Sequence, residues 1–224
     1  MGNMISLTAS DGFKLGAYRA EAPGTPKGGL VVIQEIFGVN HHIRAVCDRF
    51  AALGYTSVAP ALFDRYTPHF ESGYTPEDIA VAREYITKAD RPKMLLDAQA
   101  AIDSLQPAGK VGIVGYCFGG TVAWWGSTRS KKFTAASGWY GGGVAGTRTE
   151  TPNCPTQLHF GEKDTGIPMS DVDAIRAAQP NVGVYVYPGA QHGFGCDERA
   201  SYTAIDDRLA QARTLAFFHK HLLG

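Results

Sequence analysis

Short apolar runs rich in β-branched residues alternate along the chain with longer segments of helical periodicity, and glycine or proline closes most of them. Residues 5–20 alternate as two short strands with a turn at Asp11-Gly12. Residues 29–34 (GLVVIQ) form a continuous apolar run, suited to a strand buried on both faces. Residues 43–53 carry helical spacing and stop at Gly54; residues 55–59 give the next strand, closed by Pro60. A polar, aromatic loop over 61–74 follows, long enough to serve function. Helices are predicted over 76–89, with Thr75 as cap and Pro76 in the first turn, and over 93–105. The remaining pattern reads strand 111–116, helix 118–128, strands 133–139 and 156–160, helix 171–178, strand 182–187 and a closing helix 200–222.

Strands that alternate with helices predict an α/β fold, a mostly parallel central sheet flanked by helices on both faces. One domain over residues 1–224 is expected. Only a loop with Gly141-Gly142-Gly143 separates strands 133–139 and 156–160, which leaves no room for a large lid.

Composition narrows the partners. Hydrophobic residues make up 44% and charged residues 19%, ordinary for a globular chain with a full core. Lys plus Arg (21) equals Asp plus Glu (21), so charge favours neither nucleic acid nor a membrane surface. A small-molecule partner is expected, with the chain a monomer or small homo-oligomer. Cys47, Cys117, Cys154 and Cys196 show neither Cys-x-x-Cys nor metal-ligand spacing, so no metal is expected. The start has no signal-peptide pattern and nothing is apolar for long enough to span a membrane; a reactive thiol suits the cytoplasm. Met1 to Ser6 matches a short myristoylation pattern, but the residues read as a first strand.

The chemistry concentrates at Gly115-Tyr116-Cys117-Phe118-Gly119-Gly120, where an apolar strand runs into Gly-x-Cys-x-Gly and then into helix-compatible residues. This is the sequence form of a nucleophile elbow, with cysteine in the usual place of serine. A cysteine nucleophile needs a base and a group to orient that base. In α/β-hydrolases the chain order is nucleophile, acid, histidine, and Asp164 and His192 each follow a predicted strand in that order. Open α/β sheets place ligands at those strand ends. Taken alone, Cys117 reads as a small buried hydrophobe, Asp164 as a turn residue and His192 as a surface or core histidine. Their conjunction with the elbow carries the triad. His41, His42, His69, His159, His219 and His221 lack such context and read as structural or solvated. Gly115 to Gly120 lacks the Lys-Ser/Thr of a phosphate-binding loop.

Three segments, Gln34-Glu35-Ile36-Phe37-Gly38-Val39-Asn40, Gly115 to Gly120 and Gly189-Ala190-Gln191-His192-Gly193-Phe194, together resemble the dienelactone hydrolase family, in order and at fitting spacing over nearly the whole chain. The resemblance implies an α/β-hydrolase fold and hydrolysis of a lactone or ester through a thioester, without cofactor or metal. It places Glu35 beside the nucleophile, where a carboxylate raises the cost of a second negative charge and keeps the resting thiol protonated. The backbone N–H groups of Ile36 and Phe118 would form the oxyanion hole.

The chain also departs from that family. Where arginines hold a substrate carboxylate, the position four past the histidine is Cys196, and the helix position is Ile79, with Arg83 a turn away as a substitute. Neutral small esters, with phosphotriesters among them, are therefore an alternative substrate class. Phe37, Tyr140 and Phe194 are expected to line an apolar pocket. A non-catalytic binding protein of hydrolase fold, or a redox role for Cys117, competes with these readings; the complete triad argues against the first and the lack of a nearby resolving cysteine against the second.

Overall fold

The structure, a computed structural model, describes residues 1–223. Its sheet has eight strands among the described residues: β1 (Asn3–Thr8), β2 (Lys14–Ala20), β3 (Gly29–Ile33), β4 (Thr56–Pro60), β5 (Val111–Tyr116), β6 (Ala135–Trp139), β7 (Thr156–Gly161) and β8 (Gly183–Tyr187), in the order β1-β2-β4-β3-β5-β6-β7-β8. β1 and β2 pair antiparallel, as does β2 with β4; every other pair is parallel. The helices are α1 (His41–Ala52), α2 (Pro76–Lys88), α3 (Arg91–Leu105), α4 (Phe118–Arg129), α5 (Met169–Ala178) and α6 (Ala204–Leu222). α3 and α4 pack together on one face of the sheet, while α1 and α6 meet over the other. With both faces covered, β3, β4 and β5 are buried along their whole length, which is why β3 and β5 read as apolar runs and not as alternation.

Local chemistry fixes the helix ends. The Asn40 side chain accepts from the Ile43 N–H at the start of α1. Thr75 and Asp78 form a reciprocal capping box ahead of Pro76 in α2, as the sequence predicts for that cap. The closing helix begins at Ala204 and not at residue 200. The Thr203 N–H donates to the Phe194 carbonyl at 3.1 Å, which holds residues 200–203 in a turn belonging to the histidine-bearing loop.

The long loop after β4 is tied down by ions. Arg65 reaches both carboxylate oxygens of the buried Asp97 at 2.8 and 2.7 Å and both of Asp11 at 2.9 and 3.2 Å. Asp64 accepts from the Gly16 and His69 N–H groups. Between β6 and β7 the connection holds a single 3-10 turn, Ala145–Thr147, and no lid among the described residues.

The site falls where the sheet changes direction. From β3 the chain moves to β4 on one side, and from β5 to β6 on the other, so the carboxyl ends of these adjacent strands bound a crevice.

Candidate active site

Cys117 caps α4 immediately after β5, with φ 55° and ψ −118°. A non-glycine residue there is strained by about 1–3 kcal/mol. The turn holds because its flanks are glycines: a Cβ on Gly115 would lie 1.9 Å from the Gly119 carbonyl oxygen, and one on Gly119 2.4 Å from that of Ile33. Cys117 N–H donates to Trp139 O at 3.0 Å, fixing the elbow against β6.

The three residues singled out in sequence meet. His192 Nε2 lies 3.0 Å from Cys117 Sγ, and His192 Nδ1 lies 2.7 Å from Asp164 Oδ2. Asp164 is buried, and its other oxygen accepts from the Gly166 N–H at 2.8 Å. Burial opposes a charged imidazole, but the Cys117 sulfur and the Asp164 carboxylate outweigh it and push His192 up to about 10. The N-terminus of α4 begins directly after the sulfur-bearing residue. The Ile36 and Phe118 N–H groups donate to no other group among the described residues, and both residues line the same cavity as Cys117. They are free to hold an oxyanion.

Glu35 is fully buried just beyond β3, but its side chain pairs with Arg199 Nη1 at 3.2 Å, while the Cys117 sulfur pairs with His192. In this arrangement the Glu35 carboxylate is shared with Arg199 and makes no hydrogen bond to the thiol among the described residues. Cys196, beside Glu35, donates weakly to the Tyr74 hydroxyl at 3.4 Å; burial and the Glu35 charge push its thiol up to about 12.

A cavity of about 690 Å³ opens in front of Cys117 and His192. Phe37 and Arg83 line it, as expected. Tyr140 and Phe194 do not. Both are fully buried, Tyr140 edge-on to His192 at 5.2 Å and Phe194 packed among Trp139, Tyr140 and Tyr187. The expected pocket role is corrected: Tyr140 packs against the His192 ring and Phe194 belongs to the aromatic core behind Tyr140.

The cavity carries more positive charge than Cys196 in place of an arginine led us to expect. Arg199 and Arg91 line it together with Arg83. Arg199 is compensated by Glu35, while Arg83 and Arg91 have no ion-pair partner among the described residues. Arg199 escaped notice because it lies seven residues past His192, outside the ungapped family register. Helical spacing marks the rest: Phe118, Thr121 and Trp125 on α4, and Ile79, Arg83 and Ile86 on α2, each present one stripe to the cavity. Arg91 lies 5.1 Å over the Trp125 ring.

An elbow after β5, an acid after β7 and a histidine after β8 of a mostly parallel sheet define an α/β-hydrolase. The chain belongs to the dienelactone hydrolase family, whose model matches residues 15–222. It is thereby a hydrolase of the ester and lactone class. A Synechocystis sp. protein named "Putative carboxymethylenebutenolidase" is 41% identical over 195 residues, covering 78% of each chain. The structure of a "Putative Dienelactone Hydrolase" from Klebsiella pneumoniae superposes with a TM-score of 0.81 at 30% identity, covering 96% of this chain and 98% of that one. A dienelactone hydrolase-like promiscuous phosphotriesterase from metagenomic libraries shares the fold, with a TM-score of 0.75 at 23% identity over 100% of this chain and 99% of that one. No helix among the described residues is long and apolar enough to cross a membrane.

Proposed function

We propose that the protein hydrolyses carboxylic esters or lactones by covalent catalysis at Cys117. The observation that carries this reading is the imidazole of His192, bridging the Cys117 sulfur at 3.0 Å and the Asp164 carboxylate at 2.7 Å. His192 Nε2 takes the thiol proton, and the thiolate attacks the carbonyl carbon. The carbonyl oxygen becomes an oxyanion held by the Ile36 and Phe118 N–H groups. Collapse breaks the acyl C–O bond; the alkoxide leaves with the proton held on His192, and the acyl group remains on sulfur as a thioester. In a lactone the alcohol stays tethered to that acyl group. Water, losing a proton to His192, attacks the thioester and releases the acid and the thiol. Asp164 holds the Nδ1–H and stabilises the imidazolium throughout.

The cavity supports a substrate with an apolar body and an anionic group. Ile36, Phe37, Ile79, Ile86 and Trp125 supply the apolar wall, and the guanidinium groups of Arg83 and Arg91 supply uncompensated charge. The two guanidinium groups favour an anionic substrate over the neutral esters that the sequence offers as the alternative class. Mass spectrometry after rapid quenching with small esters and lactones tests the mechanism: an acyl adduct on the Cys117 peptide is expected, absent in Cys117→Ala. Turnover with no adduct, unaffected by Cys117→Ala, would remove the thiol mechanism; unaltered ligand would make the protein a binder.

A further inference from the structure

Behind the cavity wall, Glu35, His42 and Cys196 each offer one ligand atom within 4.8 Å of the others, and all three side chains are buried. They come from the segment after β3, the second residue of α1 and the loop ahead of α6, so no sequence spacing marks them. Two of the polar atoms are orphans: Glu35 Oε2 and His42 Nε2 have no hydrogen-bond partner among the described residues and no exposure. Native interiors leave few such atoms.

The surroundings prepare these atoms for a cation. His42 Nδ1 sits 3.0 Å from Asp197 Oδ1; in the tautomer that donates Nδ1–H to this carboxylate, Nε2 presents a lone pair. A carboxylate on the far nitrogen is the arrangement that orients metal-binding histidines. Glu35 engages Arg199 through Oε1 alone, so Oε2 can bind an ion without breaking that pair. The Cys196 sulfur donates weakly to the Tyr74 hydroxyl and accepts from the Glu198 backbone N–H, a contact that a metal-bound thiolate can keep. Tyr74 and Arg199 also line an open groove with Gln191 and Glu198, which brings solvent to the edge of the cluster.

We propose that Glu35, His42 and Cys196 form a binding site for a thiophilic divalent cation of the zinc class. Thiolate and imidazole donors select zinc-like ions over magnesium or calcium, and three protein ligands leave a fourth position open. Bonds of about 2.0–2.3 Å set tetrahedral ligands roughly 3.3–3.8 Å apart, so the cluster closes by about an ångström on binding. The ion displaces the Cys196 thiol proton to solvent: one S–H bond breaks, one S–metal bond forms, and no oxidation state changes.

Cobalt(II) is the probe, because thiolate ligation gives it a near-ultraviolet charge-transfer band. Cys117 and His192 are themselves potential ligands, so binding is measured in the Cys117→Ala protein, where no turnover is read and the esterase reading is not engaged. Uptake of one ion per chain with the band is expected, and zinc should displace it. Adding Cys196→Ser should abolish the band and weaken binding by about tenfold or more, and adding Asp197→Asn should weaken it by about 10–100-fold with the band retained. Should Cys196→Ser melt early, His42→Gln keeps the thiol and gives the second reading, with the same loss of affinity expected. No uptake at millimolar cobalt, binding without the band, or affinity unchanged in both Cys196→Ser and His42→Gln overturns the site.

Discussion

Two polar regions of this molecule each hold a histidine whose ionisation is shifted, and the shifts run in opposite directions. At the rim of the sheet, His192 stands between a carboxylate and a sulfur and is raised to about 10. Inside the sheet, His159 on β7 is fully buried, with Nδ1 2.8 Å from the Tyr187 hydroxyl and Nε2 3.3 Å from Thr214 Oγ1; burial, aided by Arg213, lowers it to about 3. Burial penalises the charged form in both places, and the partners decide the outcome. The rim holds ionic partners and a strained backbone. The interior cluster is neutral, and Thr214 serves as its hub, accepting from Trp139 Nε1 at 3.2 Å and Gln157 Nε2 at 3.3 Å. The rim is built for turnover and the cluster for stability, and variants in each should separate these two quantities.

The largest effect belongs to Cys117→Ala. Ester hydrolysis should fall by at least about 10⁴-fold, while Tm stays within a few degrees of wild type because the elbow backbone is unchanged. Residual turnover near the wild-type rate would place the nucleophile elsewhere. Asp164→Asn comes next. It offers an amide where the imidazole needs an acceptor, and kcat should drop by about 10²–10⁴-fold with KM nearly constant. A rise in KM at constant kcat would make Asp164 a binding residue.

The interior cluster should show the reverse. With His159 lowered to about 3, the unfolded chain binds a proton there below its ordinary 6.5 that the folded chain does not. Stability gained from this site therefore rises as pH increases from about 3 to 6.5 and is flat above. His192 has the opposite sign: its contribution is complete below 6.5 and is lost as pH climbs towards about 10. Denaturant melts of wild type and His159→Gln at about pH 4 and about pH 6 should differ in slope by up to about 1.4 kcal/mol per pH unit, with kcat at neutral pH preserved. Equal slopes would mean that His159 titrates normally. Thr214→Val should lower stability by about 1–3 kcal/mol by stranding buried donors, again without loss of kcat.

The two regions also differ in how far sequence reveals them. Cys117, Asp164 and His192 are legible because each follows a recognisable strand, and parallel strands carry their ends to one rim whatever the loops do. The register confirms how little freedom remains: Ile33 pairs with Gly115, Tyr116 with Trp139 and Gly161 with Tyr187. Arg199 and the Thr214 hub are illegible for the complementary reason. Their partners, Glu35 and His159, lie 164 and 55 residues away in sequence, joined by loop course and helix packing that no local pattern encodes. Tyr140 and Phe194 show a third case, in which proximity in sequence to a catalytic position says nothing about which side of the imidazole a ring occupies.

The smallest effect concerns the far wall of the cavity, where the rim meets substrate. Arg83 and Arg91 face it without ion-pair partners, while Arg199 is already compensated by Glu35. A substrate carboxylate reaching the two free guanidinium groups gains charge-assisted hydrogen bonds of about 1.5–3 kcal/mol each, offset by the loss of its own hydration. The net preference should be modest. We expect kcat/KM for a carboxylate-bearing ester to exceed that of its neutral methyl-capped counterpart by about tenfold at low salt, and the ratio to shrink as salt rises. Arg83→Ala or Arg91→Ala should each reduce the ratio and leave the neutral ester nearly unaffected, with Tm unchanged because neither side chain holds the fold together through an ion pair. A neutral preference that survives both substitutions would show that the two charges point past the bound substrate, and that the apolar wall alone selects it.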